Sequence, residues 1–93
     1  MNWSKEKQGK CCTYYEFSTT TMRVTLEKFT KTYMVRVTTE SIGTIIKEDF
    51  DIDNFGDDEK AKQKCIKIVL DKLHSRRDYW NRLTNEIVLS ENI

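Results

Sequence analysis

The feature that most constrains the fold is a change in the spacing of apolar residues near Gly56. Between residues 13 and 52, apolar and polar side chains alternate, which is typical of half-buried β-strands. After Gly56, apolar residues recur about every four positions from Ala61 to Leu73, which is typical of an amphipathic helix. We therefore predict an α+β domain. Its three- to four-stranded antiparallel meander would be packed by one long C-terminal helix or two consecutive helices.

The alternation also indicates where the individual strands and turns lie. Its apolar positions are Tyr15, Phe17, Met22, Val24, Leu26, Tyr33, Val35, Val37, Ile46, Phe50 and Ile52. Residues 28–31 and 40–43 are the expected turns between strands. Ser75, with Asp78 three residues later, resembles a helix capping box, so we favour a break near Ser75. A second helix would then place Trp80, Leu83 and Ile87 on its inner face.

Length and composition limit the organisation of the chain. Ninety-three residues support one hydrophobic core, so we expect a single domain over residues 1–93, with residues 1–10 as a basic arm that could be flexible. No stretch approaches the ~20 apolar residues of a membrane span. Residues 1–10 are too polar for a secretory signal. We expect a cytoplasmic protein that has no membrane partner.

The charges are unevenly distributed, although the net charge is only +1. Residues 1–39 carry +4, residues 40–59 carry −7 and residues 60–93 carry +4. Seven carboxylates fall within residues 48–59, which we call the acidic joint because they connect the last predicted strand to the helix. Like charges this close repel one another unless they cap a helix or meet basic residues.

The acidic joint supports two interpretations. It could present carboxylates at phosphate-like spacing to the basic groove of a protein partner, with phenylalanines as anchors. It could equally be a strand end followed by a helix N-terminus, where acids are favoured by the helix dipole. The candidate partner-binding residues are Glu48, Asp49, Phe50, Asp51, Asp53, Phe55, Asp57 and Asp58.

A small nucleic-acid-binding protein is the alternative function. Basic residues on the predicted helix could contact phosphates, and aromatic residues on the strands could stack on bases. An ordinary solvated helix face would give the same pattern of lysines. The candidate residues for nucleic-acid binding are Lys60, Lys64, Lys67, Arg76, Arg77, Tyr15 and Tyr33.

Metal sites and catalytic sites have little support in the sequence. Asp51, Asp53 and Gly56 match three positions of a calcium-binding EF-hand loop, but Lys62 occupies the place of its bidentate carboxylate. The three cysteines lack the paired spacing of zinc ligands. No motif joins a nucleophile, a base and an orienting group. We expect no cofactor and no enzymatic activity.

The predicted meander and helix, with the acid-rich segment at residues 48–59, resemble small phage-encoded anti-defence proteins of the anti-CRISPR type. The resemblance is architectural and rests on no diagnostic motif. It implies an inhibitor of a host defence nuclease, such as a CRISPR nuclease, that acts in the host cytoplasm. It further implies local DNA mimicry, since the chain as a whole is not acidic.

Overall fold

The computed structural model describes residues 2–91, with side chains described for residues 2–88. Five strands precede one helix in the chain. The elements are β1 (Lys7–Gln8), β2 (Thr13–Ser18), β3 (Met22–Lys28), β4 (Tyr33–Thr39), β5 (Gly43–Phe50) and α1 (Asp58–Glu91). The strands form one antiparallel sheet in the order β1-β2-β3-β4-β5, so each strand pairs with its neighbour in sequence. The predicted α+β meander with a C-terminal helix is confirmed.

The predicted number of strands was wrong. β2 to β5 are the four strands that the alternation indicates, and β1 is a fifth strand within residues 1–10. Lys7 lies opposite Tyr14 and Gln8 lies opposite Thr13. Both β1 side chains are exposed, so this strand has no apolar alternation by which the sequence could reveal it. Met1, Asn92 and Ile93 lie outside the described residues.

One face of the sheet carries most of the hydrophobic core. Leu26 of β3 lies opposite Tyr15 of β2 and Val35 of β4, and all three side chains are buried. Such cross-strand neighbours stabilise a sheet through direct side-chain packing. The pairing shifts by one residue between β4 and β5, where Val37 faces Ile46 and the next pair is Thr38 with Thr44. Ile45 is therefore the extra residue of a β-bulge.

The first half of α1 covers this inner face. Ala61, Cys65 and Val69 are buried against the sheet at intervals of four residues, as the sequence predicted for the helix stripe. The two smallest of them, Ala61 and Cys65, are fully buried. Their small size permits close approach of the helix to the strands. Within residues 2–91, no helix lies over the opposite face of the sheet.

The helix is continuous through Ser75, so the predicted break is wrong. No proline or glycine interrupts residues 57–93, and the i to i+4 backbone bonds run on without a gap. The side chain of Arg76 donates a hydrogen bond to the carbonyl oxygen of Ile45, at the edge of the sheet. A helix of 34 residues is about 51 Å long, against about 27 Å for an eight-residue strand. Residues 77–91, the projecting half, extend beyond the sheet.

Among the described residues, no helix is both long enough and apolar enough to cross a membrane.

Candidate functional site

The acidic joint begins in the last three residues of β5. Along residues 49–53, its apolar side chains point to the core and its acidic side chains point to solvent. Phe50 is buried and Ile52 is half-buried, and both pack on the core. Asp49, Asp51 and Asp53 alternate with them and are exposed. All three side chains are directed to solvent. Asp49 lies in β5, whereas Asp51 and Asp53 follow the end of that strand.

Asp58 has a different environment from these three aspartates. Its carboxylate accepts hydrogen bonds from the hydroxyl groups of Tyr15, at 2.6 Å, and Tyr33, at 3.0 Å. The ammonium group of Lys28 lies 3.1 Å from its Oδ1 atom, in an ion pair that is largely shielded from solvent. Asp58 is the first residue of α1, whereas its three partners lie on β2, β3 and β4. The network therefore fixes the start of the helix to the inner face of the sheet.

The partners of Asp58 outweigh the effect of its burial on its pKa. Burial alone would raise the pKa of Asp58, but hydrogen bonds from Tyr15, Lys28 and Tyr33 lower it below the usual value of 3.8. Burial, together with the bond to Asp58, raises the pKa of both tyrosine hydroxyls above 10. The hydrogen bond to Asp58 also raises the pKa of Lys28. The network thus holds the Asp58 carboxylate, the Lys28 ammonium group and two neutral phenols, and the Tyr15 hydroxyl also lies 2.8 Å from a carboxylate oxygen of Glu6.

These shifts predict how stability depends on pH. Asp58 binds its proton more weakly in the folded state, so its contribution is present above pH 3.8 and is lost as the pH falls through its folded pKa. The tyrosines hold their protons more tightly when folded, so their contribution is lost as the pH rises above 10. Urea unfolding from pH 2 to pH 11 measures the loss of stability at acidic pH and the loss at alkaline pH.

Asp58→Asn is the control for the loss of stability at acidic pH, since it removes the titrating group. The difference in unfolding free energy between the unsubstituted protein and this variant should shrink below pH 3.8. A difference that stays constant from pH 6 to pH 2 would contradict the assigned role of Asp58.

Three other acids of the joint also have partners within the chain. The Glu48 Oε2 atom lies 3.4 Å from the Lys72 Nζ atom, and the Glu59 Oε1 atom lies 3.1 Å from the Lys62 Nζ atom. Asp57 precedes α1 and accepts a hydrogen bond from the backbone N–H of Lys60 at 3.3 Å, which is the geometry of a helix N-cap. These contacts agree with the interpretation of the joint as a strand end followed by a helix N-terminus. They account for Glu48, Asp57 and Glu59 without a partner protein.

Phe55 is the exposed aromatic residue of the joint. Its ring lies 5.1 Å from the ring of Tyr33, and 40% of the residue is exposed. The Lys28 ammonium group lies 5.8 Å from the same ring. Phe50, the other candidate anchor, stacks on Tyr33 in the core and is not accessible. The joint therefore offers a partner one phenylalanine.

The backbone of the joint is held in place by several hydrogen bonds. The Lys64 ammonium group donates to the carbonyl oxygen of Asp51, and the N–H of Gly56 donates to the Tyr33 hydroxyl at 3.1 Å. The N–H of Asp57 donates to the carbonyl oxygen of Asn54 at 3.1 Å. Gly56 has a φ of 102°, which only glycine adopts readily. A segment held this way loses less conformational entropy when it binds a partner.

The aromatic residues proposed for nucleic-acid binding face the helix. Tyr33 is fully buried and Tyr15 is 9% exposed, so neither ring can stack on a base. The Lys62 ammonium group covers the Tyr15 ring at 4.2 Å. Lys60, Lys64 and Lys67 are exposed on α1, while Arg76 binds the edge of the sheet. Arg77 is exposed at the start of the projecting half.

The cysteines and the histidine do not form a common site. Cys12 is on the outer side of the sheet, where its thiol lies 3.6 Å from a carboxylate oxygen of Glu27. Burial raises the pKa of the Cys12 thiol, and the charge of Glu27 adds to that effect. Burial also raises the pKa of Cys65 to about 12. His74 lies on α1, across the sheet from Cys12. No group of His, Cys, Asp and Glu side chains within the described part of the chain could hold a metal ion.

The sequence reasoning did not identify the projecting half of α1 as a candidate surface. Its exposed apolar residues are Tyr79, Trp80, Ile87 and Val88. The prediction of a second helix assigned Trp80 and Ile87 to an inner face, on the assumption that the chain folds back. Uninterrupted helical spacing and the absence of proline and glycine after Gly56 are the signals that indicate an extended helix instead.

No known protein family, no curated protein and no solved structure matches the chain.

Proposed function

We propose that the chain is a non-catalytic protein-binding module that engages a basic partner surface through the acidic joint. The observation that carries this proposal is the exposed row of Asp49, Asp51 and Asp53. Within the described residues, their carboxylates have no ion pair or hydrogen-bond donor, in contrast to Glu48, Asp58 and Glu59. A partner supplying lysine or arginine side chains would relieve the repulsion among these three charges.

The rigid setting of this row supports the same function. Hydrogen bonds to the backbone of Asp51, Gly56 and Asp57 hold the segment in one conformation before binding. Phe55 stands beside the row and offers apolar area to a partner. Aromatic residues, including phenylalanine, are enriched in the cores of protein interfaces. The binding surface that we propose therefore consists of Asp49, Asp51, Asp53 and Phe55.

We infer further that the partner is a protein whose basic groove normally binds nucleic acid. Exposed carboxylates at every second position of this segment can meet the same lysine and arginine side chains as successive phosphates. A nuclease of a host defence system would be such a partner, in keeping with the resemblance to anti-CRISPR inhibitors. The proposed mechanism is occlusion of the groove, and it requires no chemical step.

Charge reversal of the row tests the proposal. The triple variant Asp49→Lys, Asp51→Lys and Asp53→Lys should lose the proteins that the immobilised chain captures from a nuclease-treated bacterial lysate. Reversal replaces each attraction with a repulsion, so we expect at least a tenfold loss of captured protein. A competing double-stranded DNA oligonucleotide should release the captured proteins from the unsubstituted chain, and quantitative mass spectrometry would measure both effects.

The matched control is Glu40→Lys, Asp71→Lys and Asp78→Lys, which changes the net charge by the same amount at exposed positions outside the joint. This control should capture the same proteins as the unsubstituted chain. Equal loss in both triple variants would show that net charge alone matters, and equal capture by all three proteins would refute the proposed surface.

A further inference from the structure

The projecting half of α1 carries an apolar stripe that no part of the sheet covers. From Arg77 to Val88, every side chain except Leu83 is exposed. Trp80 is 64% exposed and Ile87 is 62% exposed. Leu83 lies between them on the same side of the helix. The stripe continues the side of α1 that packs on the sheet through Val69 and Leu73.

The spacing of the residues in the stripe indicates which kind of secondary structure can pack on it. Leu73, Arg76, Trp80, Leu83 and Ile87 follow one another at alternating steps of three and four residues. This spacing averages 3.5 residues, which is the repeat of a coiled-coil seam. Residues at such positions fit into the spaces between side chains of a second helix. The occupant that the stripe fits is therefore helical.

The length of the projecting half indicates that it needs such an occupant. Residues 77–91 form about 22 Å of helix without support from the sheet. Isolated helices of this length are marginally stable in water, because most helical stability in proteins comes from packing of an amphipathic face. Exposed tryptophan, tyrosine and isoleucine side chains add a further cost of hydration.

The charges of α1 are complementary to those of a second copy in reverse orientation. Residues 72–82 contain four basic residues and one acidic residue, whereas residues 83–91 contain two acidic residues and no basic one. A parallel pair would place like charges beside each other, with Lys72 of one copy next to Arg77 of the other. An antiparallel pair of the projecting halves places Arg77 and Arg82 of one copy toward the end of the other helix that carries Glu91.

Sterics favour the same orientation. The side of α1 that forms the seam is occupied by the sheet up to Arg76. Paired helices run 8–10 Å apart, so a parallel pair would drive the sheet of one copy into the helix of the other. In an antiparallel pair, the two sheets lie at opposite ends of the paired helices. The fold thus permits only the orientation that the charges favour.

From these observations we propose that the projecting half pairs antiparallel with the same segment of a second copy of this chain. Leu83 packs against Ile87 of the second copy, and a twofold axis passes between these two layers. The pairing goes beyond the proposed function and does not depend on it. It carries the two acidic joints to opposite ends of an elongated dimer, about 50 Å or more apart by helix length alone.

The available area sets the expected strength of the pairing. Tyrosine and tryptophan each bury about 150–250 Å², so the exposed parts of Tyr79 and Trp80 contribute roughly 400–500 Å² in two copies. Stable interfaces bury about 1,200–2,000 Å² in total, which the aliphatic residues and the flanking side-chain stems must complete. The aromatic residues alone supply less than half of the smallest such area, so we expect a weak pair with a Kd on the order of micromolar.

Sedimentation equilibrium of the full chain from 1 µM to 1 mM tests the pairing. The unsubstituted chain should shift from monomer to dimer over this range. Trp80→Lys should weaken the association at least about 30-fold, because it removes the largest side chain of the seam and places a charge there. Asn85→Lys is the matched control, since Asn85 is exposed on the side of the helix opposite the seam. Circular dichroism verifies that both variants are folded.

Electron paramagnetic resonance of a nitroxide at Gln63→Cys, with Cys11 and Cys12 replaced by serine, tests the orientation. Antiparallel pairing centred between residues 83 and 87 separates the two labels by about 66 Å, whereas parallel pairing brings them within roughly 10–25 Å. A chain that remains monomeric at 1 mM, or a dimer that Trp80→Lys leaves intact, would overturn the proposal. A short distance between labels would overturn the antiparallel arrangement.

Discussion

Asp58→Ala should lower the free energy of unfolding by about 3 kcal/mol, the largest loss expected for any acid of the joint. The substitution removes the acceptor of the Tyr33 hydroxyl and the counter-ion of Lys28, and it leaves the Tyr15 hydroxyl with Glu6 as its remaining acceptor. Tyr33 is fully buried, so its hydroxyl would lose this acceptor with little access to water. A polar group left in this state costs about 1–3 kcal/mol, and the separation of a shielded ion pair costs more. Urea denaturation at pH 7 measures the loss.

Asp53→Ala is the matched control for this prediction. Asp53 belongs to the same joint and is exposed, so its replacement should change the unfolding free energy by no more than about 0.5 kcal/mol. Similar losses for the two substitutions would contradict the division of the joint into a structural acid and a row of free acids.

Leu26→Ala should lower the free energy of unfolding by about 3 kcal/mol, within the range of 2–5 kcal/mol for buried leucines. Leu26 is 0% exposed at the centre of the sheet, between Tyr15 and Val35. Its removal would leave a cavity beneath α1 that the rigid neighbouring strands cannot fill. The cavity would also weaken the support of the Tyr15 ring, which carries one hydroxyl of the Asp58 network.

Ile42→Ala provides the comparison for this core substitution. Ile42 is 77% exposed in the turn before β5, so its truncation should change the unfolding free energy by less than about 0.5 kcal/mol. Thermal unfolding followed by circular dichroism compares the two variants in one experiment. A small effect of Leu26→Ala would place the core elsewhere in the chain.

Elements defined by local periodicity could be predicted from the sequence. Alternation through Val24 and Leu26 indicated β3, and the same pattern through Val35 and Val37 indicated β4. The stripe from Ala61 to Val69 indicated the helix and the side that faces the sheet. These elements were predictable because the side chains that a strand or helix buries recur in the sequence with the period of that element.

Elements that depend on other parts of the chain could not be predicted in the same way. β1 is a strand because its backbone pairs with β2, and its two exposed side chains leave no periodic signal. The capping-box pattern at Ser75 favoured a break, but the helix continues because no residue there interrupts its hydrogen bonds. Local patterns are weak evidence against an otherwise uninterrupted helical periodicity.

The candidate site could likewise be predicted only in part, because the environment of each acid in the acidic joint depends on distant parts of the chain. Asp53 and Asp58 are the same residue type, five positions apart, in one run of acids. What distinguishes them is distance in the fold, since the partners of Asp58 lie 25 to 43 residues away in the chain. Such partners come together only after the sheet and helix have packed. The sequence therefore located the run of acids without separating the structural members from the exposed ones.

We propose that Asp49, Asp51 and Asp53 form the surface that meets a partner. Hydrogen–deuterium exchange of the chain, alone and in complex with the main protein captured from the lysate, tests whether this surface is covered. We predict that binding slows exchange of the backbone amides in residues 49–56 and leaves residues 60–76 unchanged. Slower exchange along the basic side of α1 at Lys60, Lys64 and Lys67, with no change in the joint, would contradict it.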